Sequence, residues 1–166
     1  VKGSVVSAVD LIKGIGICAG LNSIDVEGAT GTVHTNFEGK AQAAVDALKN
    51  GSDFVYVHLE APDECGHQYD IDNKVRSIEL IDEKIIAPIM NAMKEAGEDF
   101  SIMVLPDHPT PLNLRTHTSD PVPFALYRSN APQQNGVTAY NERTAESTGV
   151  YVEQGYQLMG MLISES

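Results

Sequence analysis

Residues Leu105 to Phe124 read LPDHPTPLNLRTHTSDPVPF. The stretch sets an aspartate and two histidines, Asp107, His108 and His117, within eleven residues. Apolar runs flank it, FSIMVL (100–105) before and VPFALY (122–127) after. Both runs predict short buried strands, because they are apolar, rich in β-formers and bounded by Pro, Asp and Ser. The polar residues are then expected where one strand ends and near where the next begins. In open α/β sheets that rim is where ligands bind.

Working outward, FVYVHL (54–59) is another apolar run, followed by EAPDECGHQYD. It places Asp63 and His67 beyond a strand end in the same way. Five residues of ligand type result: Asp63, His67, Asp107, His108 and His117. Mixed carboxylate and imidazole donors suit Mn²⁺, Zn²⁺ or a similar divalent ion. Five exceed what one tetrahedral site needs, which points to a two-metal centre. Each residue has an ordinary alternative. Asp63 and His67 could be a cap and a surface His in a turn. Asp107 and His108 could be a simple turn, and His117 a surface His in a long loop. On a helix the i,i+4 spacing of Asp63 and His67 would put both on one face, but Pro62 and Gly66 argue for a loop. Asp107 and His108 would point oppositely in a regular strand, so the chain must leave extended geometry there; Pro106 and Pro109 bracket the break. His34 lies in a polar turn, and His58 reads as a hydrogen-bonded core histidine. Cys65 is omitted, because a thiolate favours softer metals and has no second Cys nearby. Arg115 is either a phosphate clamp or a solvated arginine.

The remaining chain alternates strands and helices. Val5–Val9 reads as a strand, and Asp10 as the N-cap of a helix whose stripe is Leu11, Ile12, Ile15, Ala19 and Leu21. Gly14, Gly16 and Ala19 fit G-x-G-x-x-A. A helical turn precedes them where the dinucleotide motif needs a strand, so close helix–sheet packing is the better reading. Residues 22–33 make a short strand and a Gly-rich turn. Thr35 to Glu38 fits a capping box, opening a helix that buries Phe37, Ala41, Ala44, Val45 and Leu48 and ends at Asn50-Gly51. Residues 73–97 carry the longest helical pattern, Val75, Ile78, Ile81, Ile85, Ile89 and Met93, with a break expected near Ala87 ahead of Pro88. Residues 128–140 form a polar loop, and two short helices, near 142–148 and 153–164, follow. This order predicts an α/β domain with a mostly parallel sheet and helices on both faces.

At 166 residues the chain is one domain or a large piece of one. Its formal net charge of −12 disfavours nucleic acid. Two cysteines give no disulfide framework and point to a reducing, cytoplasmic setting. No apolar run approaches the length of a membrane span. The opening VKGSVVSAVD, without Met or a signal peptide, suggests a fragment, a processed piece or a trimmed recombinant chain.

The strings VSAVDLIKGIGICAGL, VEGATG, HLEAPDECGH, SIELIDEK and LPDHPTPLNLRTHTSDPVPF together resemble the archaeal-type cofactor-independent phosphoglycerate mutases, of the alkaline phosphatase superfamily. The resemblance runs over nearly the whole chain. It implies a three-layer α/β/α, alkaline-phosphatase-like domain and interconversion of 3-phosphoglycerate and 2-phosphoglycerate through a phosphoserine, without 2,3-bisphosphoglycerate. It also implies two divalent ions, manganese foremost, with zinc, magnesium and cobalt as alternatives. Asp63, His67 and His117 would hold one ion, and Asp107 and His108 would help hold the other. The family's nucleophilic Ser, an N-terminal Asp ligand and an inserted domain have no counterpart here, so residues 1–166 resemble the C-terminal part alone. Ser119 is rejected as nucleophile. The chain by itself is therefore expected to be inactive, with the missing N-terminal part as its partner and an exposed strand edge open to self-association. Rival readings are a metal-dependent phosphatase or other phosphotransferase of the same superfamily, such as a homoserine kinase-like enzyme, and a non-catalytic metal-binding domain.

Overall fold

The computed structural model describes residues 1–164. The elements in chain order are β1 (Gly3–Val6), α1 (Asp10–Cys18), β2 (Asn22–Ile24), α2 (Phe37–Lys49), β3 (Phe54–Val57), α3 (Ala61–Gln68) and α4 (Ile71–Ile81). A π-helical turn (Asp82–Ile86), α5 (Ala87–Ala96), β4 (Ser101–Val104), β5 (Ala125–Arg128), α6 (Glu142–Ser147) and α7 (Gln157–Ile163) complete it. The chain forms two compact units. Unit 1 comprises residues 1–96 with 110–116, and unit 2 comprises 97–109 with the chain from His117 onward.

Unit 1 is built on a parallel sheet of order β2-β1-β3. Side chains alternate faces along a strand, and Val5 and Val6 use both faces, each under 2 % exposed. A Cβ on Gly16 would lie 2.6 Å from the Val5 side chain, so α1 packs on the Val5 face and needs glycine to come that close. Val57, in register with Val6, packs with Phe37, Ala41 and Ile85. That places α2 and the π turn on the opposite face. Unit 1 thus has three layers, and the glycine pattern in α1 serves packing at Gly16, whereas Gly14 meets nothing.

Several local expectations shift. The first strand ends at Val6, because the Ser7 hydroxyl accepts from Val9 N–H and turns the chain. Val9 becomes the N-cap position and Asp10 lies in the first turn. The α1 stripe is not buried: Leu11 is 69 % and Ile15 58 % exposed. Asn36 rather than Thr35 caps α2, its side chain accepting from Gly39 N–H, while Thr35 Oγ1 accepts from Thr30 N–H. The long helical pattern breaks where Pro88 demands it, through the π turn that ends at Ile86. Its C-terminal half is buried, at Ile85 and Met93, but Val75 and Ile78 face outward.

The largest correction concerns residues 61–68. They are not a loop but helix α3. Pro62 stands in the first turn, where its missing N–H costs nothing. A Cβ on Gly66 would lie 2.6 Å from Thr110 O. That glycine is therefore a packing requirement rather than a helix breaker.

In unit 2, β4 and β5 pair antiparallel, with Ser101 opposite Arg128. The connection, residues 105–124, contains no helix of the kind that usually carries a parallel crossover. Parallel pairing still accounts for β1–β2 and β1–β3, so the α/β, mostly parallel expectation stands. Phe100 packs against Tyr127 at 5.9 Å between ring centres. Tyr140 reaches back with its hydroxyl 3.0 Å from Pro123 O.

Candidate metal centre

Asp63 and His67 project from α3 at i and i+4, on one face of the helix, with His67 Nε2 3.3 Å from Asp63 Oδ2. A turn at residues 111–115 lies against them. Pro111 O accepts from Leu114 N–H and Arg115 N–H, and Arg115 takes a left-handed φ of 55°. The Arg115 carbonyl then meets His67 Nδ1 at 2.9 Å. A carbonyl only accepts, so Nδ1 carries the proton in that bond. Nε2 of that ring points toward the Asp63 carboxylate, setting an imidazole nitrogen beside a carboxylate oxygen. The donor set therefore fits a divalent ion, and the carbonyl fixes the tautomer such a ligand needs.

Asp63 is held as well as facing. Thr110, 6 % exposed, donates its hydroxyl to Asp63 Oδ1. Lys74 Nζ reaches Pro62 O at 2.8 Å and Thr110 O at 3.2 Å. Burial pushes the Lys74 ammonium pKa down, with the Asp63 carboxylate acting against that shift. Glu60 and Glu64 bring carboxylate oxygens within 4.8 Å of a carboxylate oxygen of Asp63. Sequence reasoning passed over both; their i−3 and i+1 positions around Asp63 at a helix start were the available signal. Cys65 is buried, and burial pushes its thiol pKa up, so it stays protonated and outside the ligand set. His58 is hydrogen-bonded as expected, with Nδ1 3.1 Å from Ser7 Oγ, but it is half-buried rather than in the core.

In unit 2, Asp107 and His108 follow β4 in a bend, where the chain leaves extended geometry as Pro106 and Pro109 suggested. Asp107 Oδ1 accepts from His108 N–H at 3.2 Å, and Oδ2 lies 3.6 Å from His108 Nε2. The His108 and His117 rings come within 3.7 Å, centre to centre. The Pro109 carbonyl, accepting from Thr118 N–H at 3.1 Å, draws the two ends of this loop together. Asp107 and His117 are exposed and His108 half-buried. Arg115, read as either a phosphate clamp or a solvated arginine, has its guanidinium 5.0 Å over the Tyr69 ring.

The chain's relatives agree with this chemistry. Residues 1–154 match the profile of the Metalloenzyme superfamily. A Methanosarcina mazei protein named 2,3-bisphosphoglycerate-independent phosphoglycerate mutase is 49 % identical over 98 % of this chain and 41 % of its own length. A Geobacter sulfurreducens protein named as a probable enzyme of the same kind is 50 % identical over 97 % of this chain and 40 % of its own. The solved structure of the PH0037 protein from Pyrococcus horikoshii superposes with a TM-score of 0.88 at 30 % identity, covering 99 % of this chain and 50 % of that one. The chain thus spans about two fifths of the length of the curated relatives it matches. Family and donor groups together support use of a divalent metal. No helix among the described residues is long and apolar enough to cross a membrane. An alkaline-phosphatase-like α/β fold with a profile match over nearly its whole length establishes that the chain belongs to the Metalloenzyme superfamily.

Proposed function

We propose that this chain supplies metal-ligating residues to a 2,3-bisphosphoglycerate-independent phosphoglycerate mutase: Asp63 and His67 from unit 1, and Asp107, His108 and His117 from unit 2. The observation that carries the proposal is the His67 geometry, with Nδ1 committed to the Arg115 carbonyl and Nε2 turned to Asp63. The relatives near half-identity supply the reaction class. Two divalent ions, manganese foremost, would supply charge neutralisation for a phosphoryl group moving between the 3- and 2-positions of a glycerate. The chain's own residues hold and orient. The carboxylates of Asp63 and Asp107 offer negative charge, and the imidazoles of His67, His108 and His117 offer neutral nitrogen donors. Arg115, whose guanidinium lies above Tyr69, is the residue available to a substrate phosphate.

Residues 1–166 correspond in this reading to the C-terminal part of the catalytic domain. No serine in them matches the family's nucleophile, so the chain alone does not turn over, and the missing part of the polypeptide is its partner in a cytoplasmic enzyme. The exposed Leu11, Ile15, Val75 and Ile78 side chains support self-association of the isolated chain. The test is mutase activity of the full-length gene product with Mn²⁺, beside its Asp107→Ala variant. Activity that disappears in the variant sustains both reaction and metal role. Phosphatase activity, or transfer to another acceptor, would overturn the substrate. A clean monomer by light scattering would end the self-association reading.

A further inference from the structure

We propose that Thr110 and Lys74 are positioning residues for the Asp63–His67 pair, and that the turn at 110–116 is the bracket through which they act. The inference rests on the metal-binding reading of that pair and adds the groups that aim it. Thr110 donates its hydroxyl to Asp63 Oδ1. This leaves Oδ2 on the side of His67 Nε2. The other end of the same turn supplies the Arg115 carbonyl to His67 Nδ1 at 2.9 Å. One short turn therefore orients both side chains, the carboxylate through a hydroxyl and the imidazole through a carbonyl.

The bracket is itself tied down. Lys74 Nζ donates to Pro62 O in the first turn of α3 and to Thr110 O in the turn, so one ammonium joins α4, α3 and the bracket. Gly66 lets the turn approach, because a Cβ there would meet Thr110 O at 2.6 Å. Arg115 holds a left-handed φ of 55°, and Tyr69, at the end of α3, one of 60°. Such conformations cost about 1 kcal/mol each for residues with a Cβ, and they persist where surrounding contacts over-determine them. Here the Arg115 guanidinium rests over the Tyr69 ring at 5.0 Å, joining the two strained residues.

The test has a metal-dependent arm and a metal-free arm. In the first, Mn²⁺ affinity of the chain is measured by titration calorimetry for the parent and for Asp63→Ala, Thr110→Val, Thr110→Ser, Lys74→Met and the Thr110→Val/Lys74→Met pair. Far-UV circular dichroism confirms folding of each. Lost orienting partners typically cost a metal site about 10–100-fold. That loss is expected in Thr110→Val and Lys74→Met, with Thr110→Ser restoring affinity to within about threefold of the parent by the same rule. The pair should be no weaker than the worse single variant, since both act through one turn. In the second arm, ¹⁵N NMR reads the His67 tautomer without metal. The Nδ1–H form should dominate in the parent and in Thr110→Ser and lose its dominance in Lys74→Met. Unchanged affinity in Thr110→Val together with an unchanged tautomer in Lys74→Met would overturn the proposal. If the parent binds no Mn²⁺, the metal reading fails and the tautomer arm decides the bracket by itself.

Discussion

Unit 1 and unit 2 each carry an Asp and His of ligand type beyond a strand end, yet they present them differently. In unit 1 the pair stands on a helix, and both its members are held by a turn, across 48 and 47 positions of sequence. In unit 2, Asp107, His108 and His117 stand in a bend and a loop. Within that loop Asp107 accepts from His108 N–H, the His108 ring lies against His117, and Pro109 O accepts from Thr118 N–H. Helix geometry fixes the direction of Cβ at every position. A bend does so only where further contacts hold it. A donor set on a braced helix is preorganised, and one on an exposed loop loses conformational entropy when it binds. The unit 1 pair is therefore expected to dominate the affinity of this chain for a metal ion.

The largest effect tests that asymmetry in function. Chelation of divalent ions should abolish turnover of the full-length product by more than about 10³-fold, consistent with the several kcal/mol a metal contributes to transition-state charge. Added Mn²⁺ should restore it, and activity that survives chelation would remove the metal from the reaction. Next comes the direct contrast. Asp63→Ala should lower Mn²⁺ affinity of the isolated chain about 100-fold, and Asp107→Ala less than about 10-fold, the ends of the range that preorganisation spans here. Equal losses, or the reverse order, would break the comparison.

A buried charge gives a pH test of unit 1. Lys40 is 1 % exposed, with Nζ 3.4 Å from both Thr30 O and His58 O. Burial lowers its pKa to about 8, and the Glu60 carboxylate opposes that shift. The unfolded chain, with the ordinary value of 10.5, then binds more protons across this window. Stability should rise as pH goes from about 8 to 10.5, by up to about 3 kcal/mol. Urea midpoints of the parent should follow this rise and those of Lys40→Met should not. Parallel curves would show that Lys40 is hydrated.

The smallest effects sharpen the packing claim. Gly66→Ala forces a Cβ onto Thr110 O and should destabilise by about 1–3 kcal/mol. Gly14→Ala, on a helix face that meets nothing within 4 Å, should stabilise by about 0.5–1 kcal/mol. Thermal melts of the two would settle the contrast, and a neutral Gly66→Ala would loosen the bracket.

Much of this molecule was readable from the chain. The apolar runs at 54–59, 100–105 and 122–127 each hold a strand, shortened to 54–57 and 101–104 and shifted to 125–128, and the break ahead of Pro88 fell at Ile86 and Ala87. The ligand-type residues could be picked out because Asp and His in polar turns after strands are conspicuous. Helix α3 was not readable, since Pro62 and Gly66 signal a loop locally. The antiparallel return of β5 was likewise masked by the alternation of strands and helices before it.

Residue types and spacing determined the class of fold, the acidic surface and the kind of metal donors, because those follow from side-chain chemistry and from rules acting over a few residues. Tertiary structure decided what those candidate donors meet. Thr110 reaches Asp63 across 47 positions, Lys74 reaches Thr110 across 36, and Arg115 reaches His67 across 48. Hydrogen bonds at that separation depend on where folded elements come to rest, and no local pattern encodes them.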